Sequence, residues 1–235
     1  MIFASLPERL AHVRAEIARR QAAAGRADPV TIVAVTKGFG PDAVAAAIAA
    51  GLVDVGENRV QEALQKMETA GARAQWHLIG HLQRNKAKLA AGRFTLVHSL
   101  DSGDLAVELD RRAAAARVRQ RVLLQVNVAG EAQKSGCTPA EAPALAGAVA
   151  ALPHLALEGL MTIAPFTDDE GVQRRTFRGL RALRDSLQEE GLWLPTLSMG
   201  MSADYAVAVE EGATVIRLGT VLFGPRETGR PAAAT

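Results

Sequence analysis

The feature that most constrains the fold is a regular alternation between short apolar runs and longer segments of helical composition. Gly or Pro separates most of these segments, as at the junctions between secondary-structure elements. Eight runs predict strands: Thr31 to Thr36, Leu52 to Val55, Trp76 to Ile79, Phe94 to Val97, Val122 to Val128, Leu155 to Leu160, Pro195 to Leu197 and Thr214 to Leu218. The segments predicted to be helical are Pro41 to Ala50, Arg59 to Ala70, Gln83 to Ala91, Ser102 to Arg117, Pro139 to Leu152, Asp169 to Glu190 and Ala203 to Glu211.

This alternation predicts an α/β fold, a (β/α)8 TIM-type barrel. Strands that read as continuous apolar runs are covered by helices in a parallel sheet, and a count of eight favours closure. The length of 235 residues also agrees with a typical barrel of about 250. An open doubly wound sheet is the alternative, but its Gly-X-Gly-X-X-Gly fingerprint is missing after the first strand, where Lys37 and Gly38 stand.

One domain is expected over residues 1–235, with an extra helix at its start. In the segment Met1 to Arg26, an apolar stripe predicts a helix that docks on the barrel. The stripe consists of Leu6, Leu10, Val13 and Ile17. The segment loosely resembles a transit peptide, but Glu8 and Glu16 are unusual there. We expect the tail from Gly224 to Thr235, which is rich in Pro, Gly and Ala, to be loose.

Composition argues against several classes of protein. The longest uncharged apolar runs, Ala43 to Val53 and Ala142 to Pro153, are shorter than the ~18 to 20 residues of a membrane span. A net charge of +2, with arginines scattered along the chain, does not favour nucleic acid as a partner. Cys137 is the single cysteine, so an intramolecular disulfide is excluded and a reducing compartment is favoured. We therefore expect a soluble, cytoplasmic protein.

Chemistry in such a barrel takes place at the carboxyl ends of the strands. The polar or reactive residues near those ends are Lys37, Glu57, Asn58, His77, His81, Ser99, Asp101, Asn127, Met161, Thr162, Ser198 and Arg217. Lys37 stands out because the chain uses arginine far more often than lysine, and only an amine can form an imine with an aldehyde or ketone. The alternative is a surface lysine with its charged group in water.

Two neighbouring strand ends predict a phosphate site. Ser198 to Ser202 follows the seventh predicted strand and precedes a helical segment, so hydroxyls and backbone amides converge there. Gly200 would allow close approach of an anion, although Ser202 could be an N-cap with no ligand. The eighth strand adds Gly219 and Thr220, and loops after strands seven and eight form the recurrent phosphate site of such barrels.

An imine-forming lysine beside a phosphate site matches pyridoxal 5'-phosphate (PLP), a compact phosphorylated aldehyde. Arg217 points toward the same mouth and could lie at the pyridine nitrogen, where a permanent cation opposes ring protonation. The alternative for Arg217 is an ordinary ion pair. His77 and Asn58 could line the pocket; alternatively, His77 could be a core histidine and Asn58 a loop residue.

His77 and His81 have no evident third ligand, so a metal site is rejected. The arginines of Asp169 to Glu190 are interpreted as a solvated face.

The chain resembles the pyridoxal phosphate homeostasis protein family from about Leu6 to Phe223. The motifs that carry the resemblance are Ala34-Val35-Thr36-Lys37, Gly56-Glu57-Asn58-X-Val60-Gln61-Glu62, Trp76-His77-Leu78-Ile79-Gly80-His81-Leu82-Gln83-X-Asn85-Lys86, Ser198-Met199-Gly200-Met201-Ser202-X-Asp204 and Val215-Ile216-Arg217-Leu218-Gly219-Thr220. Two departures affect loop details: Arg59 replaces an aromatic, and Gly38-Phe39-Gly40 gives the first loop unusual freedom.

The resemblance implies a barrel similar to the N-terminal domain of alanine racemase, with PLP held as an internal aldimine on Lys37. It implies that Arg217 faces the pyridine nitrogen and that three further residues lie near the cofactor: Asn58, His77 and Met201. The phosphate contacts that it implies are Ser198, Gly200, Ser202, Gly219 and Thr220. Lys134 also matches a family motif, but we interpret it as a residue of a solvent-exposed loop.

Family members are regarded as carriers or buffers of PLP in vitamin B6 and amino acid homeostasis. The resemblance therefore implies a PLP carrier without established turnover, which could hand PLP to apo-enzymes as a monomer or weak dimer. Alanine racemase adds a β-domain that supplies a second acid/base tyrosine, whereas Tyr205 is expected in packing or at the rim. Two alternatives stay open: a PLP-dependent amino acid racemase, and an aldolase that uses Lys37 on a sugar phosphate.

Overall fold

The structure, a computed structural model, describes residues 3–70 and 73–225. Eight parallel strands form a closed barrel in sequence order, and helices lie between them. The barrel closes where the eighth strand pairs with the first, with Thr31 opposite Val215 and Ala34 opposite Leu218. The predicted (β/α)8 barrel with its N-terminal helix is confirmed. Residues 226–235, which make up most of the tail expected to be loose, lie outside the described residues.

The elements follow the predicted order. The strands are β1 Thr31–Val35, β2 Asp54–Glu57, β3 Gln75–Leu78, β4 Leu96–Leu100, β5 Gln120–Gln125, β6 Leu155–Met161, β7 Thr196–Met201 and β8 Val215–Leu218. The helices are α1 Leu6–Ala23, α2 Pro41–Ala49, α3 Val60–Ala70, α4 Ala87–Ala90 after a 3-10 turn at Arg84–Lys86, α5 Gly103–Ala116, α6 Ala142–Ala150, α7 Glu170–Glu189, α8 Tyr205–Glu210 and α9 Thr220–Phe223.

Most strand boundaries differ from the prediction by a few residues, and β5 is Gln120–Gln125 where Val122 to Val128 was expected. β2 begins later than predicted and includes Glu57, and β4 continues to Leu100. β7 is the largest difference, because Ser198 to Met201 form part of the strand instead of a loop after it. Met-Gly-Met has no β-branched residue to favour a strand, but the neighbouring strands supply hydrogen-bond partners through Met161 and Arg217. Tertiary pairing therefore overrides the local sequence signal.

Several helices are shorter than predicted. The segment predicted as Gln83 to Ala91 is a 3-10 turn followed by the four-residue α4. α6 begins at Ala142, after turns at its predicted start. α8 contains only six residues, and its N-cap is Asp204, so the interpretation of Ser202 as an N-cap is wrong.

The main core lies between the strands and the surrounding helices, and α1 extends it. The predicted stripe of α1 is buried, and the helix packs against α8 and α9. Inside the barrel, Leu96, Leu123 and Met161 form a separate small apolar cluster. No helix among the described residues is both long enough and apolar enough to span a bilayer.

The predicted solvated face of α7 is wrong in part, because three of its arginines form ion pairs with Glu211, the C-cap of α8. Arg174, Arg178 and Arg181 all lie within 3.1 Å of the Glu211 carboxylate. Glu211 is buried, and its pKa is lowered because hydrogen bonds from the arginines outweigh the opposing effect of burial. These contacts fasten α7 to the end of α8.

The loop after β1 is held by an aromatic cluster. The rings of Phe3, Phe39 and Phe223 contact one another, with centroid separations of 5.8, 5.5 and 5.5 Å. The cluster joins this loop to α9 and to the residues before α1. The two glycines beside Phe39 therefore do not leave the loop free, contrary to the expectation from the sequence.

Candidate functional site

The candidate site lies at the carboxyl ends of β1, β7 and β8. Lys37 follows β1 and is half-buried. β8 is the neighbour of β1, and a Cβ placed on Gly219 would lie 3.6 Å from the Cβ of Val35. Closure of the barrel thus brings the chain around Lys37 close to Gly219, as expected from the sequence for a lysine beside a phosphate site.

The backbone on both sides of Lys37 is held by charged groups of α3. Lys66 donates a hydrogen bond of 2.9 Å to the carbonyl oxygen of Thr36. The amide of Gly38 donates to a carboxylate oxygen of Glu62 at 2.9 Å. Thr36 is fully buried, and Lys37 lies half-buried in the turn that follows it. The site lysine is therefore presented from a fixed piece of backbone.

These contacts belong to a buried cluster of charges, which we call the α3 charge cluster: Glu57, Lys66 and Glu62. The Lys66 ammonium lies 2.7 Å from an oxygen of Glu57 and 3.0 Å from an oxygen of Glu62. The hydroxyl of Thr36 donates to the same Glu57 oxygen at 2.6 Å. Sequence reasoning assigned no role to Lys66, although Glu62 and Lys66 have the i,i+4 spacing of a helical ion pair.

The two carboxyl groups of the α3 charge cluster titrate in opposite directions. Burial raises the pKa of Glu57, and the hydrogen bonds from Lys66 and Thr36 do not offset that effect. Burial also favours a higher pKa for Glu62, but the Gly38 amide and Lys66 outweigh it, so the pKa of Glu62 is lowered. The second oxygen of Glu57 has no hydrogen-bond partner among the described residues.

A polar cup lies where β7 and β8 end. The hydroxyl oxygen of Ser202 accepts hydrogen bonds from the backbone amides of Gly219, at 3.2 Å, and Val221, at 3.3 Å. Thr220 lies between these two residues and is exposed. These groups come from two neighbouring loops, so an anion placed here would meet hydroxyl and amide donors together.

Gly200 lies in β7, two residues before Ser202 of the polar cup, and has a positive φ of 95°. A Cβ at this position would lie 2.6 Å from the Cβ of Ala208, so a larger residue would push β7 away from α8. The adjacent Met201 ends β7, and its amide donates to the side chain of Asp204 at 2.5 Å. The turn that follows β7 is therefore fixed by its own hydrogen bonds.

Arg217 and Ser198 lie inside the barrel, beneath the cup. Arg217 donates to the hydroxyl oxygen of Ser198 at 2.7 Å and to the carbonyl oxygen of Thr162 at 2.9 Å. The described residues give Arg217 no ion pair within 4.0 Å, so the alternative of an ordinary ion pair is wrong for this part of the chain. Burial lowers the pKa of Arg217 to about 10, which leaves it charged at neutral pH.

His77 lies deeper in the barrel than the cup. Its ring bonds to Asp54, at the beginning of β2, and to the buried His98 of β4, each at 2.9 Å. His98 in turn contacts Ser198 at 2.8 Å, which joins His77 to Arg217 through the interior. Sequence reasoning missed His98, because nothing in the apolar run around it shows which face of β4 it occupies.

Asn58 lies at the end of β2, and the chain after β3 approaches it closely. A Cβ on Gly80 would lie 2.4 Å from the carbonyl oxygen of Asn58, so only glycine fits there. Asn58 is half-buried. Nearby, His81 contacts Asp101 at 3.1 Å on the exposed rim. The described residues contain no group of three or more His, Cys, Asp or Glu side chains that could hold a metal ion.

Lys134 and Cys137 follow β5. Lys134 lies in a loop, as expected, but its side chain is only 22% exposed, because it donates to the carbonyl oxygen of Ala164 at 2.9 Å and pairs with Glu131. Cys137 is buried, and burial raises its pKa to about 11. Its thiol therefore stays protonated at neutral pH and is a poor nucleophile.

Comparison with known proteins assigns the chain to a family. The alanine racemase N-terminal domain model matches residues 9–227. The pyridoxal phosphate homeostasis protein of Pseudomonas aeruginosa is 47% identical over 231 residues, which cover 97% of this chain and 99% of the relative. The chain belongs to the pyridoxal phosphate homeostasis protein family. The resemblance inferred from the motifs is thereby confirmed.

Other members of this family and more distant barrels agree. The protein of the same name from Aquifex aeolicus is 43% identical over 223 residues, covering 94% of this chain and 98% of the relative. The structure of PipY from Synechococcus elongatus with PLP bound has a TM-score of 0.79 at 40% identity and covers 88% of this chain and 100% of PipY. Alanine racemase of Clostridium difficile is similar in fold, with a TM-score of 0.72 at 14% identity, covering 92% of this chain and 57% of the racemase.

Proposed function

We propose that this protein binds PLP at the carboxyl-terminal mouth of its barrel and carries or buffers the cofactor. The observation that carries the proposal is the convergence of Lys37 with the polar cup of β7 and β8, above the buried cation of Arg217. The structure of the PipY relative holds PLP, which supports the same cofactor here.

The groups around the mouth fit the parts of PLP. A phosphate needs several donors, and the cup has the hydroxyls of Ser202 and Thr220. The amides of Gly219 and Val221, which donate to Ser202 in this structure, would turn to the phosphate when it binds. When bound, PLP supplies an aldehyde that a neutral amine can attack and a ring that can accept electrons. Lys37 is the amine on the adjacent strand end. The proposed cofactor-binding residues at the mouth are Lys37, Asn58, Gly200, Met201, Ser202, Arg217, Gly219 and Thr220.

Two of the expected contacts have a different proposed role. Ser198 is fully buried, and its oxygen is shared by Arg217 and His98, which places it below the cup and not within it. His77 lies further toward the amino-terminal end of the barrel and bonds to Asp54 there. We assign both residues to the support of Arg217, so that they act on the cofactor through the guanidinium.

Arg217 fits a carrier or modest proton transfer, and the position of Tyr205 argues against racemisation. Its guanidinium only donates hydrogen bonds, so it can bond to an unprotonated ring nitrogen and opposes protonation there. An unprotonated ring accepts electrons weakly, which disfavours loss of a proton from a bound amino acid. The residue that could have been a second base, Tyr205, packs against the outer core, in accordance with the expectation. Burial raises the pKa of its hydroxyl.

The test is covalent trapping. Purified protein is mixed with PLP and dialysed, its visible spectrum is recorded, and borohydride is added before peptide mapping. We expect a visible band and a label on Lys37, both of which are lost in Lys37→Ala and retained in the control Lys88→Ala at an exposed lysine. An unchanged band in Lys37→Ala would overturn the site.

The same preparation separates the alternative functions. Inversion of an amino acid, or rapid exchange of its α-proton, would support the racemase. A colourless protein that traps a keto sugar on reduction would support the aldolase. The carrier predicts retention of PLP and its transfer to an apo PLP-dependent enzyme. A cytoplasmic location, one domain over residues 1–235 and a monomer or weak dimer stay predictions, which fractionation, limited proteolysis and sedimentation would check.

A further inference from the structure

A continuous chain of hydrogen bonds crosses the inside of the barrel. We call it the interior relay, and its members are Asp54, His77, His98, Ser198 and Arg217. Successive contacts measure 2.9, 2.9, 2.8 and 2.7 Å. β4 and β7 are not neighbours in the sheet, so the bond between His98 and Ser198 passes through the interior. The relay therefore joins β2, β3 and β4 to β7 and β8 across the inside of the barrel.

The two ends of the relay together set the direction of its bonds, because a guanidinium only donates and a carboxylate only accepts. The Ser198 oxygen accepts from Arg217, and its hydroxyl proton, for which Nδ1 of His98 is the acceptor among the described contacts, is donated to that nitrogen. His98 is fully buried beside other cationic and imidazole groups, and burial keeps it neutral by lowering its pKa well below the usual value. A neutral ring that accepts at Nδ1 carries its proton on Nε2.

The carboxylate at the Asp54 end sets the remaining two bonds. Nε2–H of His98 donates to Nδ1 of His77, and Nε2–H of His77 donates to the carboxylate of Asp54. All four donors point the same way, from the cation at one end to the anion at the other. The two charges are separated by three neutral groups, each of which accepts one bond and donates the next. Such bonds polarise one another and strengthen together.

The Asp54 end of the relay reaches a second opening of the molecule. Asp54 and His77 line a cavity of about 490 Å³ at the amino-terminal end of the barrel, opposite the PLP mouth. Asp28 and Arg121 line the same cavity, and Arg121 is paired with Glu158 at 2.7 Å. Asp54 is 22% exposed, whereas Arg217 is 3% exposed. One end of the relay is therefore open to solvent, and the other end lies beneath the proposed cofactor.

We propose that the interior relay is a positioning device, in which Asp54 and the two histidines fix Arg217 for the ring nitrogen of PLP and couple the amino-terminal cavity to the cofactor site. The inference rests on the proposed function for the place of PLP, but the direction of the hydrogen bonds does not. Asp54, His77 and His98 are thus positioning residues that act through Ser198 on Arg217.

The first test needs no cofactor. Long-range ¹⁵N–¹H spectra of the histidine rings distinguish the two neutral tautomers, and in the PLP-free protein we expect Nε2–H for both His77 and His98. A ring with Nδ1–H at either position would overturn the relay.

The second test removes the charge at the far end. Asp54→Asn keeps the shape, but an amide both donates and accepts, so the chain can run in either direction. We expect mixed tautomers at His98, which does not contact residue 54, while the control Asp28→Asn in the same cavity keeps Nε2–H. An unchanged His98 in Asp54→Asn would refute the coupling.

The third test uses the PLP-loaded protein. In Asp54→Asn we expect a shifted visible band and a several-fold loss of PLP on dialysis, with the borohydride label still on Lys37. An unaltered band and unaltered retention would overturn the coupling to the cofactor. If the wild-type protein itself carries no label on Lys37, the proposed function fails, whereas the tautomer result still decides whether the relay exists.

Discussion

The α3 charge cluster and the interior relay are two buried polar networks that both include a residue of β2, Glu57 in the first and Asp54 in the second. In the α3 charge cluster, ions touch directly, with Lys66 within 3.0 Å of two carboxylates. In the interior relay, the cation and the anion lie at opposite ends and only neutral groups lie between them. Direct pairing neutralises the Lys66 charge locally and fixes the backbone beside Lys37. Separation of the two charges of the relay leaves Arg217 as a cation that can act on a ligand. Buried charge thus fixes the backbone beside Lys37 in the α3 charge cluster, whereas in the interior relay it leaves a cation beneath the polar cup.

The largest effect is expected from breaking the α3 charge cluster. Lys66→Met removes the ammonium and leaves Glu57 buried without its cation, which should lower the free energy of unfolding by about 3 to 5 kcal/mol. The exposed Lys88→Met is the control and should change it by less than about 0.5 kcal/mol. Urea denaturation monitored by circular dichroism measures both. Equal unfolding free energies of the two variants would mean that the cluster positions the backbone beside Lys37 without stabilising the fold.

A smaller effect is expected from removing the link next to the cation of the relay. Ser198→Ala leaves a buried guanidinium N–H and Nδ1 of His98 without partners, which should cost about 2 kcal/mol. Ser99→Ala is the matched control, since Ser99 is also buried and donates to the carbonyl oxygen of Gly80 at 2.7 Å. That variant should cost about 1 kcal/mol and leave the PLP band in place. If Ser198→Ala also left the band in place, Arg217 would not depend on the relay.

Removing the Arg217 cation should lower the free energy of unfolding less than removing the Lys66 ammonium does. Arg217→Met leaves only neutral partners, Ser198 and the carbonyl of Thr162, and it relieves the cost of burying a charge. We expect a loss of about 1 kcal/mol in unfolding free energy, within the range for one unmade hydrogen bond. The PLP band should shift because the ring nitrogen loses its cation. A loss as large as that of Lys66→Met would remove the distinction between the two networks.

The smallest effect concerns pH. The folded pKa of Glu62 is lowered, so its contribution to stability is present above its ordinary pKa of 4.5 and is lost as pH falls below that value. Glu62→Gln should therefore be less stable than the wild type near neutral pH, by about 1 kcal/mol or less for a partly exposed pair, and the difference should shrink below pH 4. Urea denaturation at several pH values measures it. A difference that grows on acidification would contradict the direction of the shift.

The barrel could be predicted because its signal is repeated eight times, and Lys37, Ser202, Gly219 and Arg217 could be chosen because strand ends meet at one edge. The conformation of Ser198 to Met201 could not, since neighbouring strands and not local propensity place these residues in β7. The roles of Lys66 and His98 could not be predicted from the sequence for a related reason. Each lies on a helix or strand whose sequence shows that it is structured, but their partners come from other parts of the chain.

The aromatic cluster has a consequence for when the site can form. Phe39, two residues after Lys37, packs on Phe223 of α9, so the loop that presents the lysine depends on a segment made almost two hundred residues later. During translation, β1 leaves the ribosome long before its closing neighbour β8 exists. The mouth proposed to accept PLP can therefore be assembled only after β8 and α9 have been synthesised.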